Sequence, residues 1–301
     1  MINHKIKNIT ASVKARLLNI ARNTKKPFQE ILQYYGMERF LFRLSESNYK
    51  DVFILKGALL LKVWGVADCR ATMDIDTLAR TSNSIGNIIK IIREICDLVP
   101  VVDDGVDFIS SSIKGEQMQL QKEYEGVRIQ FEGCLGRAKI PMQVDIGFGD
   151  VVTPCAQELQ YPNLLDFPAP RMKMYPPETF IAEKILTMVE KGAINSRIKD
   201  FYDVWLLFHQ NHYSCDILKV ALERTAESRK IRCDFEIIRT VIDKYSKNQQ
   251  AKVLWERFKR NKMPGAYRDI SFSVLVVDIM DVLMKIEKSS VEREASISTR
   301  A

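Results

Sequence analysis

The spacing of apolar residues predicts a chain that begins helical, becomes mixed in its middle and ends helical. In residues 1–50 apolar positions recur at helical spacing after Thr10, a candidate helix cap, and again after Pro27, which suits the start of a second helix. The same spacing predicts later helices at residues 178–191, 196–209, 215–227, 234–245, 248–260 and 271–287. The polar residues 289–301 are predicted to be a disordered tail.

Between residues 51 and 152 helical and strand patterns alternate. Ser84 is a candidate cap for a helix with one apolar side, and alternating stretches predict strands at residues 106–113 and 127–131. A further strand is predicted from residue 140 to 149, with Val144 on its apolar side and Asp145 on the other. Residues 153–177 contain six prolines and are predicted to form an irregular crossing.

Composition is that of a soluble globular protein, with 46% hydrophobic and 28% charged residues among 301. Lysines interrupt the apolar runs well before a membrane-spanning length, and the N-terminus lacks the apolar core of a secretory signal, so we expect a cytoplasmic protein without a membrane segment. Six dispersed cysteines and three histidines argue against a zinc site, a disulfide framework and histidine-based catalysis.

The net charge of +7 is unevenly distributed. Residues 1–50 hold ten Lys/Arg against three Asp/Glu, and residues 251–301 hold ten against seven, whereas the middle has a small acidic excess. Basic ends around an acidic centre fit a nucleic-acid or nucleotide substrate. Solvated helix faces that favour solubility explain the same charges equally well.

Two carboxylates stand two residues apart in a predicted strand. Asp74 and Asp76 share one face of such a strand, and carboxylates aimed at one point suit a divalent cation. Gly57 precedes them at the start of a short apolar segment, where free N–H groups of a helix end bind phosphate. Asp145 fits a third ligand in an otherwise apolar strand. A solvated carboxylate pair and an edge-strand Asp145 facing water are the alternatives.

The helical second half has its own charged residues. Lys184 lies beside the apolar stripe of one predicted helix, where it either extends to solvent or reaches a phosphate. Asp200 and Asp203 share a face of the next helix, close to Lys199. These residues have a structural interpretation and a nucleotide-binding one.

Taken in order, these motifs resemble the AbiEii/AbiGii-type nucleotidyltransferase toxins of the DNA polymerase β-like nucleotidyltransferase superfamily. The resemblance runs from about residue 53 to about residue 210. It rests on Leu55-Lys56-Gly57-Ala58-Leu59, Arg70-Ala71-Thr72 before Asp74-Ile75-Asp76, Val144-Asp145, Glu178-Thr179 with Ala182-Glu183-Lys184, and Ser196-Arg197 with Lys199-Asp200-Phe201-Tyr202-Asp203.

The resemblance implies an α+β fold, a minimal nucleotidyltransferase mixed sheet flanked by helices. A helical leader (residues 1–50) would precede the nucleotidyltransferase core (51–152), and the crossing (153–177), an all-helical C-terminal domain (178–288) and the tail (289–301) would follow. By the family pattern the catalytic residues are Asp74, Asp76, Asp145 and Lys184, of which the three aspartates would bind Mg²⁺ or Mn²⁺. The implied nucleotide-binding residues are Lys56, Gly57, Ala58, Arg70, Thr72, Lys199, Asp200 and Asp203.

The function implied is transfer of a nucleoside monophosphate from a nucleoside triphosphate to RNA, with tRNA the first choice of acceptor. Such a toxin inhibits translation or growth in a toxin–antitoxin or abortive-infection system, with an AbiEi-like antitoxin encoded nearby, and DNA binding is not expected of this chain itself. A protein or small-molecule acceptor, or a non-catalytic binding module, are the alternatives. Where the superfamily usually has Gly-Gly or Gly-Ser, this chain has Gly57-Ala58, so a hydroxyl contact to phosphate is missing.

Overall fold

The computed structural model describes residues 8–119, 125–192, 197–263 and 265–298. The chain divides into two compact units, each built from three separate segments. The first unit consists of Met1–Val63, Ala71–Gly149 and Gln157–Met174. The second unit consists of Trp64–Arg70, Asp150–Ala156 and Tyr175–Ala301.

The first unit contains helices and all the strands of one sheet. Its elements are α1 (Ile9–Thr24), α2 (Phe28–Glu46), β1 (Phe53–Lys56), α3 (Leu60–Val63), β2 (Ile75–Ala79), α4 (Ile85–Cys96), β3 (Val106–Gln119), β4 (Glu125–Leu135), β5 (Ala138–Phe148), β6 (Gln157–Gln160) and β7 (Arg171–Met174). Ser84 caps α4, as the sequence predicts, by accepting a hydrogen bond from the Asn87 backbone N–H. Asn8 rather than Thr10 caps α1, where it accepts from the Ala11 N–H at 2.9 Å.

The strands form a mixed sheet in the order β3-β4-β5-β2-β1-β7-β6. β2 pairs with β5 and β1 pairs with β7 in parallel, and the other neighbours are antiparallel. β6 and β7 lie in the segment for which the sequence predicts an irregular crossing. These strands are only four residues each and sit between prolines rather than across them, so neither loses a ladder hydrogen bond to proline.

One face of the sheet is apolar and buried. Met142, Val144 and Ile146 of β5 are almost completely buried, as the alternation of the sequence predicts. Helix α2 packs closely against this face at Gly36, where an added Cβ would lie only 2.6 Å from the Ile140 side chain. With apolar positions committed to this face, the alternate residues of β5, including Asp145, point to the other one.

From Pro177 onwards, the described part of the second unit consists mainly of helices. Its helices are α5 (Pro177–Lys191), α6 (Ile198–His209), α7 (Cys215–Ser228), α8 (Phe235–Lys247), α9 (Gln249–Lys262) and α10 (Phe272–Ser298). Each begins within two residues of its predicted start, although Ser196, the predicted start of α6, itself lies outside the described residues. Asp234 and Asn248 cap α8 and α9 through their side-chain oxygens.

The sequence predicts a disordered tail from residue 289, whereas α10 extends to Ser298. Glu292, Arg293, Glu294 and Ala295 have high helix propensity, which explains how a polar segment continues the helix. Residues 299–301 lie outside the described ranges. Among the helices that the structure describes, none has both the length and the hydropathy needed to cross a membrane.

Candidate active site

A row of charged residues crosses five strands on one face of the sheet. Lys56 of β1 lies opposite Asp76 of β2, and Asp76 lies beside Asp145 of β5. Asp145 in turn lies opposite Arg128 of β4, which faces Glu116 of β3. Residues directly opposite in neighbouring strands project from the same face. The two central carboxylates therefore stand side by side, with a cation on each flank.

Three carboxylates converge at the centre of this row. One oxygen each from Asp74, Asp76 and Asp145 lies within 4.8 Å of the other two, and all three residues are half-buried. Asp74 immediately precedes β2, so it shares the face of Asp76 by the alternation of the strand. Carboxylate oxygens are the ligands that Mg²⁺ and Mn²⁺ prefer in proteins. These three aspartates, called the acidic triad below, fit a divalent cation.

Gly57 has two reasons to be glycine. Its φ is +72°, in the left-handed region, and a Cβ built on it would lie 2.0 Å from Oδ2 of Asp76. The helix predicted after it is two short turns, a 3₁₀ turn at Gly57–Leu59 and a single α-turn at Leu60–Val63. Ala58 is buried. The backbone at Gly57 is thus fitted against a member of the acidic triad.

Thr72 orients Asp74. Its hydroxyl donates to Oδ1 of Asp74 at 2.5 Å, and its backbone N–H donates to the Tyr34 hydroxyl at 3.0 Å. The Lys62 ammonium lies 3.0 Å from the centroid of the Tyr34 ring. Thr72, which the family pattern assigns to nucleotide binding, contacts a candidate metal ligand directly in this structure. A ligand held by a second side chain loses less freedom when a cation binds.

Arg128 holds Asp145 from the other side. Its Nε donates to Oδ1 at 2.8 Å and its Nη2 to Oδ2 at 2.7 Å, while Gln143 donates to Oδ2 at 3.4 Å. The hydrogen bond to Asp145 raises the pKa of Arg128, against the opposing effect of partial burial. The sequence predictions missed Arg128. Alternation in β4 places it on the polar face, but only the strand register shows that it meets Asp145.

The second unit holds a different charge arrangement, called the buried quartet below: Arg70, Lys184, Asp200 and Asp203. Arg70 donates to both carboxylate oxygens of Asp203, at 2.9 and 2.8 Å. The Lys184 ammonium lies 2.5 Å from Oδ1 of Asp200 and 3.0 Å from Oδ2 of Asp203. The side chains of Asp200 and Asp203 are at most 3% exposed. The quartet therefore pairs two cations with two anions away from water.

Burial and neighbouring charges have opposite effects on the pKa values of Lys184 and Asp200 in the quartet. Burial alone would lower the pKa of Lys184, but the carboxylates of Asp200 and Asp203 outweigh it and raise that pKa. Burial alone would raise the pKa of Asp200, but its contact with Lys184 outweighs it and lowers that pKa. Lys184 is therefore charged at neutral pH, and its charge is compensated within the unit.

The predicted site residues thus fall into two groups. The acidic triad, Lys56, Gly57, Ala58 and Thr72 belong to the first unit, and the quartet and Lys199 belong to the second. Lys199 is exposed on α6, and Arg197 lies 3.5 Å from Asp200 as a further ion-pair partner.

Two solved structures resemble this fold. The crystal structure of JHP933 from Helicobacter pylori has a TM-score of 0.53 and 11% identity, over 90% of this chain and 97% of that one. A proposed nucleotidyltransferase from H. pylori has a TM-score of 0.51 and 12% identity, over 87% of this chain and 96% of that one. At such identities the likeness concerns the fold alone.

A family model of nucleotidyltransferases matches most of the chain, and the mixed sheet with its converging carboxylates agrees with that class of enzyme. Residues 39–273 match the model of the family "Nucleotidyl transferase AbiEii toxin, Type IV TA system", and the chain belongs to that family. A search of curated proteins finds no match.

Proposed function

We propose that this chain is a toxin that transfers a nucleoside monophosphate from a nucleoside triphosphate to RNA, with tRNA the first candidate acceptor, and that the reaction requires Mg²⁺ or Mn²⁺. The observation that carries the proposal is the convergence of three carboxylate oxygens within 4.8 Å. Such a set costs electrostatic free energy unless a cation neutralises it. A nucleotide-transfer site needs a cation at this point.

Asp74, Asp76 and Asp145 would hold the metal. When bound, the divalent cation would activate the attacking hydroxyl and neutralise charge on the transferred phosphoryl group. Thr72 fixes the direction of the Asp74 carboxylate, and Arg128 with Gln143 fixes that of Asp145. The chain's own contribution is a set of carboxylates whose rotamers are fixed in advance.

The proposed transfer forms one bond, breaks one bond and releases one proton. A hydroxyl oxygen of the RNA forms a bond to the α-phosphorus, the bond from that phosphorus to the oxygen of the leaving pyrophosphate breaks, and the hydroxyl proton passes to solvent. Lys56 shares the sheet face of Asp76, which supports placing the negatively charged triphosphate on the β1 side of the acidic triad, next to Gly57. Asp145, on the opposite side of the acidic triad, would then face the attacking hydroxyl.

The nucleotide-binding roles of Ala58, Arg70, Lys184, Lys199, Asp200 and Asp203 rest on the family pattern. The internal pairing of the quartet suits a positioning role for Lys184 as well as a direct one. A kinetic comparison separates the two, because Lys184→Met raises the KM for the triphosphate selectively if Lys184 contacts phosphate. If Lys184 acts through the fold, the variant lowers the melting temperature instead.

The basic ends of the chain and its net charge of +7 support a polyanionic acceptor. Membership of a type IV toxin–antitoxin family supports an antitoxin partner, of the AbiEi-like kind encoded nearby. We place the reaction in the cytoplasm, where nucleoside triphosphates and RNA are both abundant.

Labelled transfer tests the proposal. The full chain is incubated with each α-labelled nucleoside triphosphate, with Mg²⁺ or Mn²⁺, and with total RNA. Asp74→Asn with Asp76→Asn is the test variant, and Asp107→Asn, an exposed aspartate of β3, is the matched control. We expect label on RNA with the native chain and the control, and at least a ~1,000-fold loss with the test variant.

Other outcomes would contradict the proposal at different points. Label on protein or on a small molecule, with none on RNA, would replace RNA as the acceptor. Absence of label with all four triphosphates and both metals would favour a non-catalytic binding module. Equal transfer by the native chain and the double variant would remove the acidic triad from the reaction.

A further inference from the structure

A cavity of about 730 Å³ opens in the first unit, next to the acidic triad. Met73, the residue before Asp74, and Gln143, which donates to Asp145, both line it. Its volume lies within the range of small-molecule sites.

The cavity exists because two neighbouring strands differ in length. β5 begins at Ala138, whereas β2 first pairs with it at Val144. The edge of β5 before Val144 therefore has no β2 partner, and α2 supplies side-chain donors in its place. Gln29 donates to the Lys139 carbonyl at 3.3 Å, and Gln33 donates to the Pro141 carbonyl at 2.6 Å. We call this opening the β5 notch.

The walls of the β5 notch combine apolar surface with amide groups, and the two carboxylates among them, Glu30 and Glu132, form ion pairs with Lys26 and Lys139. Pro27, Pro141 and the half-exposed Met73 provide the apolar part. Gln130 and Gln143 provide side-chain amides, and Nε2 of Gln130 donates to Oε1 of Gln143 at 3.2 Å. Apolar side chains hold the face of a planar ring, and amides recognise the donors and acceptors on its edge. This combination fits a nucleobase.

The order of strands in the sheet distinguishes between two candidate bases, that of the incoming nucleotide and that of the acceptor. The proposed triphosphate side of the acidic triad is β1, with Lys56 and Gly57, whereas the β5 notch is bordered by β3, β4 and β5. The incoming nucleotide and the notch thus lie on opposite sides of the acidic triad. Lys114, exposed at the notch, adds a cation suited to a backbone phosphate.

We propose that the β5 notch binds the terminal nucleobase of the acceptor RNA and so places its hydroxyl beside Asp145. The proposal rests on the proposed function, because it assumes that RNA is the acceptor. It identifies the acceptor side of the site and gives Gln130 and Met73 a part in choosing the acceptor.

A binding experiment tests the notch without requiring transfer. The full chain carries ¹³C-methyl methionine and is titrated with AMP, CMP, GMP and UMP in EDTA, while methyl chemical shifts are followed by NMR. We expect at least one nucleotide to shift the methyl signal of Met73, which lines the notch and is half-exposed. In Gln130→Ala the same nucleotide should bind about tenfold more weakly, the size of one hydrogen bond, whereas Gln250→Ala, at an exposed glutamine of α9, should leave binding unchanged.

Steady-state transfer then assigns the bound base to the acceptor. We expect Gln130→Ala and Met73→Ala to raise the KM for total RNA about tenfold while the KM for the triphosphate stays within twofold of the native value. Thermal melting checks that both variants fold, as their exposed positions predict.

Three results would overturn the proposal. The first is no shift of the Met73 methyl with any of the four nucleotides. The second is binding that Gln130→Ala and Met73→Ala leave unchanged. The third is a raised KM for the triphosphate with an unchanged KM for RNA, which would assign the notch to the incoming base. If the native chain labels no RNA, the proposed function fails, and the NMR titration still reports whether the notch binds a nucleobase.

Discussion

The acidic triad and the buried quartet are both clusters of charged side chains, but they differ in balance. The triad places three carboxylates together at half-buried positions, with Arg128 paired to Asp145. The quartet pairs two cations with two carboxylates and excludes water from both aspartates. One cluster keeps an excess of negative charge, whereas the other is neutral within itself.

That difference separates two uses of charge. Half-buried carboxylates in excess are destabilising on their own and favourable once a cation is present, as a metal site requires. A balanced, buried cluster is insensitive to added cations but depends on every one of its members. Substitutions in the triad should therefore change chemistry more than stability, and substitutions in the quartet should do the reverse.

The largest expected effect on stability is in the quartet. Asp203→Asn removes the charge shared by Arg70 and Lys184, and we expect the free energy of unfolding to fall by about 3–5 kcal/mol, the cost of leaving a buried charge unpaired. Urea denaturation measures it. In the matched variant Asp76→Asn we expect a change under about 1 kcal/mol, because it relieves carboxylate repulsion. Equal losses in both variants would contradict the distinction between the clusters.

Gly57→Ala should disturb the triad through the backbone. Its Cβ would collide with the Asp76 carboxylate, so we expect transfer activity to fall at least ~100-fold, along with about 2 kcal/mol of stability. Gly65→Ala is the control, because Gly65 has a similar φ of +68° but open space around its Cβ. It should cost about 1 kcal/mol and leave activity intact. Matching losses of activity would show that strain, rather than the collision, matters.

Arg128→Gln tests how the ion pair between Arg128 and Asp145 affects the affinity of the acidic triad for a metal ion. The guanidinium occupies both oxygens of Asp145 and repels a cation, so its removal should tighten Mn²⁺ binding about two- to fivefold, the size of a partly exposed ion pair. Calorimetric titration measures the affinity. Arg171→Gln, which removes an exposed pair with Glu158, should have no effect. Weaker Mn²⁺ binding in Arg128→Gln would mean that Arg128 preorganises Asp145 more than it competes for it.

The smallest expected effect is in the pH dependence of the quartet. Lys184 lowers the pKa of Asp200 below its ordinary value of 3.8, despite the opposing effect of burial. The folded state therefore binds fewer protons at this group, so its stabilisation is present above pH 3.8 and is lost as the pH falls through the lowered pKa. Acid denaturation should be less steep in Asp200→Asn than in the native chain. Identical slopes would contradict this role.

Local patterns predicted the elements well. Ser84 was predicted as the cap of α4, the predicted helix starts at residues 234 and 248 fall on the caps of α8 and α9, and alternation placed Asp145 on the polar face of β5. The motif order also predicted the candidate triad. These features depend on neighbours within a few residues, for which sequence spacing is sufficient.

The missed features are those set by distant pairing. Arg128 meets Asp145 only because β4 and β5 pair in one particular register, and Arg70 reaches Asp203 across 133 positions of sequence. β6 and β7 are too short for an alternation to be recognised among the prolines. The β5 notch likewise depends on where β2 begins relative to β5, which no local pattern determines.

The register of β2 against β5 determines both the apolar core and the convergence of the carboxylates. A slip of one residue would turn Asp145 towards the apolar face and expose Ile146 in its place. The pairing that buries the core is therefore the same pairing that brings the carboxylates together. A chain in which β2 and β5 are mispaired would lack both the packed core and the assembled carboxylates, so a single step of folding would establish stability and the candidate active site together.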